Sequence, residues 1–450
     1  MVKMLKNKSN LAWKNWAGNQ TSNPLGFENP RNEEDLSSIV KNAKQRNLRV
    51  KVIGTGHSFT GIAVPDQLLV TLDSISSLHD VDLENLQVRV GAGIKICDLN
   101  STLQRFGLAM PNLGDIAYQT LSGAISTSTH GTGLGFKTIA DAVISMRVID
   151  GNGNIISCDK DINSELFHTA RIGLGALGII TEVTLQCVPK FNLHAVEEIL
   201  PLGRVTNEFD RLAELNDHVE FFWMPNTDKA LLKRNTRTSE SPPLPRNKRH
   251  ALRRKWNRFK NKEIKENLLF GTLNHIGNFI PPLVPKFNEL IAGDSGRAEY
   301  VTKSYEVFTS PRRVRFYEME YAVPKSSGIE AFKRVVTLIE NLDQQVSFPV
   351  EYRVLGGDNI PLSTTVDQES AYVAVHVFRG TKFEKYFRGV EDIMSDYGGR
   401  PHWGKLHFKN HKDLSRLYPQ WELFQIQREA MDPYGRFTNS YLNDVLGPMG

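Results

Sequence analysis

Two glycine-rich segments in the first half of the chain restrict its fold more than any other feature. The first, Gly54-Thr55-Gly56-His57-Ser58, follows directly on a short apolar run, and the second spans residues 114–135. Glycine permits tight turns whose backbone N–H groups can bind an anion. Neither segment contains the Gly-Lys-Ser/Thr of a P-loop or a G-x-G-x-x-G between strand and helix, so neither of those nucleotide sites is supported. On composition alone, each segment could also be a simple turn.

Hydrophobic periodicity predicts both strands and helices. Near residue 189 the pattern changes from short strands to longer helical stretches. The predicted strands are 50–54, 67–72, 86–90, 178–187, 315–323, 350–355 and 371–378, with a hairpin over 142–157. The predicted amphipathic helices are 32–47, 96–106 and 327–342. At 450 residues the chain is about three times the ~150-residue prior for one domain, so we expect two domains or one elaborated domain.

Basic residues are concentrated in the segment 233–262. It holds twelve Lys and Arg against one acid, a net charge of +11, whereas the whole chain carries +5. Its Ser-Pro-Pro-Leu-Pro stretch predicts a loop, and residues 250–270 predict a basic helix. A solvated insertion is one interpretation, and weak contact with an anionic membrane surface is the other. No nucleic-acid fold signature accompanies the segment, so nucleic acid is not expected as a partner.

Cysteine content and hydropathy argue against a disulfide-rich, thiolate-metal, secreted or membrane-spanning protein. Cys97, Cys158 and Cys187 are too few and too scattered for a disulfide framework or a thiolate metal site, and we expect no metal. The first 20 residues lack the apolar core of a signal peptide, and no apolar run approaches the ~18 residues of a membrane span. We therefore expect a cytoplasmic protein, with membrane association through the basic segment as the alternative.

Four ordered segments carry a resemblance to a known family. They are residues 52–58 (VIGTGHS), 90–93 (VGAG), 121–133 (LSGAISTSTHGTG) and 173–183 (GLGALGIITEV). Together they resemble the PCMH-type FAD-binding domain of the vanillyl-alcohol oxidase superfamily. Within it the chain is most similar to the sugar-1,4-lactone oxidases and the related alditol oxidases, which WKNW at 13–16 and RPHWGKLH at 400–407 also fit. The resemblance covers nearly the whole chain except the basic segment.

The resemblance implies an α+β fold. Residues 1–190 would form a two-lobed FAD-binding domain. Residues 191–395 would form a substrate cap on an antiparallel sheet that covers the flavin ring, interrupted by the basic insertion. Residues 396–450 would return to the FAD-binding domain.

The resemblance also implies which residues contact the cofactor. His57 would be joined covalently to the flavin 8α-methyl group, although the residues alone would favour a histidine that only hydrogen-bonds in a tight turn. The other implied FAD-binding residues are Gly54, Thr55, Gly56, Ser58, Ser122, Gly123, Ser126, Thr127, His130, Gly131, Gly178 and Ile180. For His130, a buried structural role is the alternative. Ala124 stands where alditol oxidases carry a serine, and this favours a lactone substrate.

Glu351 and Arg353 are the predicted substrate-binding pair on the cap. They lie two residues apart on a predicted strand, so both side chains project from one face. A carboxylate beside a guanidinium can hold adjacent hydroxyls, one accepting and the other donating hydrogen bonds. An ordinary surface ion pair is the alternative. The pair matches the Glu-x-Arg of the resembled branch.

Two further residues complete the predicted catalytic set. His376 falls where alditol oxidases face substrate, and a satisfied core histidine is the alternative. Lys405 matches the branch's lysine near the flavin N1/C2 edge, where a cation would stabilise negative charge on the reduced flavin. Glu318 and Glu320 alternate on the YEMEY strand, and we expect them to hold the catalytic residues in position without contacting the substrate.

The function implied by the resemblance is FAD-dependent oxidation of a sugar-derived alcohol. The expected substrate is an aldono-1,4-lactone of the gulono-, galactono- or arabinono- type, oxidised at C2 by hydride transfer to flavin N5, with O2 or another electron acceptor. An alditol oxidase that acts on a terminal CH2OH, as in xylitol or sorbitol, is the related alternative. From another class, the alternative is a non-catalytic flavin-binding protein that docks on membranes.

Overall fold

The structure is a computed structural model that describes residues 12–242, 270–293, 296–310 and 312–449. The strands up to residue 190 are β1 (Trp13–Lys14), β2 (Thr21–Ser22), β3 (Gly26–Glu28), β4 (Val50–Ile53), β5 (Leu68–Thr71), β6 (Leu78–Asp82), β7 (Gln87–Gly91), β8 (Leu108–Ala109), β9 (Val143–Ile149), β10 (Ile155–Asp159), β11 (Ile179–Gln186) and β12 (Val188–Pro189). The helices in this part are α1 (Glu33–Gln45), α2 (Ile96–Arg105), α3 (Leu121–Ser126) and α4 (Ser164–Ala170).

The second part of the chain is richer in long strands and helices. Its strands are β13 (Asn192–Pro201), β14 (His218–Trp223), β15 (Lys229–Thr238), β16 (Ala298–Lys303), β17 (Phe316–Pro324), β18 (Val350–Leu355), β19 (Ser370–Phe378) and β20 (Arg400–Pro401). Its helices are α5 (Leu202–Leu215), α6 (Phe270–Phe279), α7 (Val284–Ala292), α8 (Ser304–Phe308), α9 (Lys325–Glu340), α10 (Glu384–Ser395), α11 (His411–Leu414), α12 (Trp421–Met431) and α13 (Ser440–Leu446). None of the helices in the described part is long and apolar enough to cross a bilayer.

Two sheets organise the first part of the chain. One is the three-stranded parallel sheet β3-β5-β4, and the other is the five-stranded antiparallel sheet β10-β9-β11-β7-β6. Helix α1 begins at Asn32, whose side chain accepts a hydrogen bond from the backbone of Asp35, and it buries Leu36 and Val40. The glycine loop 54–58 starts at the carboxyl end of β4, the end of a parallel strand where α/β proteins generally bind ligands.

An eight-stranded antiparallel sheet dominates the second part. Its strand order is β16-β13-β15-β14-β18-β19-β17-β20, and we call it the cap sheet. Because side chains alternate across a strand, one face of the sheet is apolar and the other is polar. On the apolar face, Tyr352 packs against Phe209 of α5 and Phe332 of α9, with ring centroids 4.9 and 5.7 Å apart. The opposite face, which we call the charged face, carries Glu220, Glu318, Glu320, Glu351, Arg353 and His376.

The C-terminal segment packs against the first part of the chain. Trp403, Tyr418 and Leu446 belong to the same buried cluster as Leu36, and the backbone N–H of Val50 donates to the Arg436 carbonyl at 2.7 Å. The predicted boundaries near residues 190 and 395 fall between β12 and β13 and between α10 and β20. As domain boundaries they stay a prediction.

The predicted α+β fold class with an antiparallel cap sheet is confirmed, and each strand and helix predicted outside the basic segment has its counterpart in the structure. The basic segment needs a correction at its start. Residues 233–238 are not insertion but the second half of β15, where Lys233 lies 3.9 Å from Glu220 and Arg234 pairs with Glu198. The rest of the segment from residue 243, including the predicted basic helix up to residue 269, lies outside the described residues.

Candidate active site between the glycine loops and the cap sheet

The first glycine loop is held by the segment 13–16 and touches the second loop. Gly56 has φ +72°, a conformation that favours glycine. A Cβ on Gly54 would lie 2.4 Å from the Thr120 Oγ1, so a side chain there would separate the two loops. The backbone of Trp16 donates to the Gly56 carbonyl at 2.7 Å, and Asn15 Nδ2 donates to the Ser58 carbonyl at 2.9 Å.

His57 presents an unused ring nitrogen in this loop. Its Nδ1 is buried and has no hydrogen-bond partner among the described residues, and its ring lies 5.6 Å from that of Trp16. Burial, together with the nearby charge of Lys405, lowers the pKa of His57 to about 4. The imidazole is therefore neutral at pH 7, with a free lone pair. A buried polar atom without a partner points to a missing ligand.

The second glycine loop meets two of the other predicted segments. Ser122 N donates to the Ala92 carbonyl at 3.0 Å, and Ala92 N donates to the Thr181 carbonyl at 2.9 Å. Leu174 N donates to the Ser126 carbonyl at 3.2 Å. Three of the four segments that carried the resemblance are thus joined by backbone hydrogen bonds.

Not every predicted cofactor residue has a free side chain. Thr127 Oγ1 donates to the Gly123 carbonyl at 3.0 Å, and the Ile180 side chain belongs to the buried core. Gly131 must be glycine, since a Cβ would lie 2.4 Å from both Asn112 Oδ1 and the Leu113 carbonyl. Gly178 has φ +123° and borders Ile149. At Thr127 and Ile180, only the backbone is free to contact a cofactor.

His130 is buried at the junction of the second loop and the charged face. Its ring stacks on Tyr372 at 3.8 Å, its Nδ1 lies 2.9 Å from the Gly131 carbonyl, and its Nε2 lies 3.5 Å from Glu320. Burial alone would raise the pKa of Glu320, but the charge and hydrogen bond of His130, together with the charge of Lys405, hold that pKa well below its usual range. These contacts are those of a buried structural histidine, the alternative that the sequence left open for His130. Contact of His130 with the flavin stays a prediction.

His130, Glu320 and His402 form a buried cluster whose candidate metal-ligand atoms lie within 4.8 Å of one another. The backbone N–H of Gly404 donates to His402 Nδ1 at 3.0 Å, which assigns the ring proton to Nε2. Burial lowers the pKa of His402 to about 3, so this ring is neutral. With Nδ1 accepting from Gly404 and Nε2 protonated, neutral His402 has no lone pair left for a metal ion.

Lys405 and His376 meet at one carboxylate, Glu318. Lys405 Nζ forms an ion pair with Glu318 Oε2, and His376 Nε2 lies 3.5 Å from Glu318 Oε1. The backbone of Leu406 also donates to the Glu318 carbonyl at 2.9 Å, so main chain and side chain both fix the lysine. Burial alone would raise the pKa of Glu318, but the charges of Lys405 and His376 lower it to about 2.

Arg353 is surrounded by three carboxylates. Its Nε donates to Glu220 at 2.7 Å, while its Nη2 pairs with Glu351 and lies 3.3 Å from Asp115. Burial and the charges of Asp115 and Glu220, against the opposing effect of Arg353, together raise the pKa of Glu351 to about 8. Glu351 and Arg353 are 6% and 8% exposed, which excludes the surface ion pair that the sequence left open.

Glu351, Arg353 and His376 share one face of the cap sheet, and Lys405, from the segment after β20, reaches this face at Glu318. Glu351 and Glu320 both pair with Ala374 of β19, one from each side, so the two acidic clusters lie side by side. The Phe316 ring connects them to the loop, with centroids 5.4 Å from Trp16 and 5.2 Å from His376.

Glu220 and Asp115 are site residues that sequence reasoning missed, and Glu318 and Glu320 are more central than expected. Glu220 lies on the alternating run of β14, and Asp115 follows Gly114 at the start of the second glycine segment. The alternation of β14 could have indicated a face for Glu220, but nothing local links it to Arg353.

Comparisons with known proteins point to one family. A family model described as D-arabinono-1,4-lactone oxidase matches residues 183–445, and one described as FAD binding domain matches residues 24–159. The chain is 37% identical to an L-gulono-1,4-lactone dehydrogenase of Mycobacterium tuberculosis, over 97% of this chain and 99% of that protein. It is 33% identical to an L-gulonolactone oxidase of Scyliorhinus torazame, over 96% and 98%.

A solved structure shows the same fold. The structure of a solvent-stable cholesterol oxidase superimposes with a TM-score of 0.80 and 18% sequence identity, and it covers 98% of both chains. At this identity the similarity concerns the fold alone.

The residues of the two loops fit a bound FAD. The unpartnered Nδ1 of His57 is a buried polar atom left for a ligand in the first loop, and Gly54 lets the two loops lie in contact. Ser58, Ser122 and Ser126 are only partly buried, so both loops have hydroxyl-bearing residues accessible to a ligand. Backbone N–H and hydroxyl groups of this kind suit a pyrophosphate.

Proposed function

Since the chain belongs to the family of FAD-dependent sugar-1,4-lactone oxidases and dehydrogenases, we propose that it oxidises the C2 hydroxyl of an aldono-1,4-lactone on the charged face of the cap sheet. It is an FAD-dependent oxidoreductase that acts on aldonolactones. The observation that carries the site assignment is the meeting of Glu351, Arg353 and Lys405 on one face, next to the loop of His57. A gulono- or arabinono-type lactone is the substrate that the relatives' names suggest.

The two glycine loops would hold the cofactor. Gly54, Gly56 and Ser58 would contact the pyrophosphate from one side, and Ser122 and Gly123 from the other. His57 Nδ1, neutral and without a partner, would form the covalent bond to the flavin. When bound, FAD accepts the hydride from the substrate C–H and passes the electrons to O2 or to another acceptor.

The charged face would bind and orient the lactone. Glu351 and Arg353 would hold oxygen atoms of the ring, and their burial keeps competing water away. Lys405 Nζ would donate a hydrogen bond to the reacting hydroxyl oxygen and stabilise its negative charge as the hydroxyl proton passes to solvent. Glu318 would keep the ammonium in position, with His376 on its other side. The product would be a 2-keto-lactone, which can enolise.

Substrate choice is tested by mixing the purified yellow protein anaerobically with candidate alcohols and following the flavin absorbance. We expect rapid bleaching with L-gulono-, L-galactono- or D-arabinono-1,4-lactone, and none or much slower bleaching with xylitol and sorbitol. Faster bleaching with the alditols would contradict the proposal. Repeating the reaction in air and measuring H2O2 against the reduction of an artificial acceptor then assigns the electron acceptor.

The covalent bond is tested by acid precipitation followed by a denaturing gel viewed for flavin fluorescence. We expect fluorescence in the wild-type band and none in the His57→Ala band. His79, an exposed histidine paired with Glu182, supplies the matched control, and His79→Ala should keep the label. Flavin released into the supernatant from the wild-type protein would contradict the covalent bond and leave FAD binding intact.

A membrane contact through the basic segment is a separate proposal. Residues 243–262 carry most of its charge. Co-sedimentation with anionic vesicles, compared with a variant lacking residues 243–262, tests it; equal sedimentation of both proteins would contradict it.

A further inference from the structure

The substrate-binding arginine has more carboxylates around it than one cation can neutralise. Glu220, Glu351 and Asp115 reach the same guanidinium from three different elements: β14, β18 and the second glycine loop. Strand pairing sets Glu220 directly opposite Arg353, and Glu351 lies two residues away on the same face. A guanidinium carries one positive charge, so it cannot neutralise three carboxylates.

The two outer carboxylates have second cations. Glu220 lies 3.9 Å from Lys233, and Asp115 lies 2.5 Å from Arg312. Arg353 and Arg312 hold the pKa of Asp115 well below its usual range despite its burial. Within the described part of the chain, Arg353 is the only cation at ion-pair distance from Glu351.

Of the three carboxyl groups around Arg353, that of Glu351 consequently has the greatest free-energy cost of ionisation. The charged groups that act on it are Arg353 from its own strand, Glu220 from β14, Glu320 from β17 and Asp115 from the glycine loop. Three of these four are negative, and the side chain is almost completely buried. Burial and like charges both favour the protonated form of a carboxyl group, and the pKa of about 8 agrees with this.

We propose that Asp115 and Glu220 share the charge of Arg353 with Glu351, so that Glu351 binds the substrate as a neutral carboxylic acid and donates a hydrogen bond to the carbonyl oxygen of the lactone. This rests on the proposed function. One oxygen of the acid lies against the Arg353 guanidinium, and the O–H on the other is left to donate. Asp115 and Glu220 are positioning residues that act through Arg353 and Glu351.

The arrangement gives a physical reason for preferring a lactone. A lactone carbonyl oxygen only accepts hydrogen bonds, so an ionised carboxylate would repel it and a carboxylic acid would bind it. Every oxygen of an alditol carries a hydrogen and can donate to a carboxylate equally well. A site that offers two donors, Arg353 and protonated Glu351, therefore accepts the lactone carbonyl that an ionised Glu351 would disfavour, whereas an alditol hydroxyl can pair with either form of Glu351.

The experiment measures how lactone binding depends on pH. The probe is a 2-deoxy-aldono-1,4-lactone, which lacks the reacting hydroxyl, and the dissociation constant comes from the change in flavin absorbance on rapid mixing. Wild-type affinity should be constant near pH 6–7 and fall by about tenfold per pH unit well above pH 8, as Glu351 ionises. Rapid mixing with fresh lactone keeps ring hydrolysis out of the measurement.

Glu351→Gln is the decisive variant, because an amide donates a hydrogen bond at every pH. We expect it to bind the 2-deoxy lactone within about fivefold of the wild type at pH 6.5 and to lose the alkaline decline. If Glu351 binds as a carboxylate, the same variant should lose more than about a hundredfold at pH 6.5. That result would overturn the inference.

Asp115→Asn tests the origin of the effect. Removing a negative charge beside Glu351 makes ionisation easier, so the alkaline decline should move to lower pH. Glu220→Gln should move the alkaline decline in the same direction. This variant replaces Asp115→Asn in the experiment if Asp115→Asn does not retain flavin. The matched control is Glu198→Gln, which removes an ion-paired acid from the opposite face of the cap sheet and should leave the profile unchanged.

The outcomes separate the inference from the proposed function. A wild-type protein that no lactone bleaches at any pH contradicts the proposed function. Lactone oxidation with an alkaline decline that neither Asp115→Asn nor Glu220→Gln shifts contradicts only the protonated state of Glu351. Retained flavin absorbance and an unchanged unfolding midpoint in each variant show that the site is intact.

Discussion

Replacing Glu318 by glutamine should destabilise the protein and do so in a pH-dependent way. The folded protein lowers the pKa of Glu318 from its ordinary 4.5 to about 2, which at 1.36 kcal/mol per pKa unit corresponds to about 3 kcal/mol of favourable interaction with the ionised form. The side chain is buried, so little of this is lost to solvent screening. Because Glu318→Gln also leaves Lys405 and His376 without their carboxylate, about 3 kcal/mol is the expected loss at pH 7.

The sign of the pH dependence follows from the direction of the pKa change. A carboxylate with a lowered folded-state pKa stabilises the protein above the unfolded-state value, near 4.5, and this contribution is lost as the pH falls towards 2. The difference in unfolding free energy between wild type and Glu318→Gln should therefore be constant above pH 5 and shrink below it.

Urea unfolding, followed by far-UV circular dichroism at several pH values, measures this difference. The control is Glu299→Gln, which removes an exposed carboxylate at the edge of the same sheet and should leave the unfolding free energy nearly unchanged. Equal stability of wild type and Glu318→Gln at pH 7, or a difference that does not change between pH 6 and pH 3, would refute the reasoning.

Three further predictions follow from the contacts of the site and the cap. Lys405→Met should lower kcat for the lactone by about 10²–10³-fold while flavin stays bound, because the charge beside the reacting hydroxyl is lost; Lys409→Met, which removes a lysine paired with Ser395, should leave the steady-state rate unchanged. Gly54→Ala should lower the flavin content, read from the 450/280 nm absorbance ratio, because its Cβ would press on Thr120; Gly203→Ala, where a Cβ meets open space, should not. Phe332→Ala should cost about 3–5 kcal/mol in urea unfolding, and a loss below about 1 kcal/mol would show that the apolar face repacks.

Local patterns predicted most of the secondary structure and part of the site. The period-2 spacing of Glu351 and Arg353 placed both side chains on one face, and the structure pairs them directly. The alternation of Glu318 and Glu320 likewise placed both on the charged face, although the sequence suggested only a supporting role. For His376, one ring nitrogen lies 3.2 Å from the Pro349 carbonyl and the other faces Glu318, a set of partners that a strand pattern does not contain.

The basic segment shows where local patterns fail. Its charge density predicted an exposed insertion from residue 233, yet Lys233 and Arg234 lie in β15 and pair with glutamates of neighbouring strands. Charge content describes the solvation of isolated side chains. It does not show that the basic side chains of a segment will lie next to carboxylates on neighbouring strands and pair with these carboxylates.

By itself, the sequence determined the features that depend on neighbours along the chain: the helix that starts at Asn32, the loops that require glycine at Gly54 and Gly56, and the facing of Glu351 with Arg353. Only the tertiary structure determined which charged groups surround the proposed substrate site. Glu220 lies 133 residues before Arg353, and Asp115 joins them from the second glycine loop. The strand order β14-β18-β19-β17 brings these groups together. Strand order is set by long-range packing of the apolar face, and no periodicity along one strand contains that information.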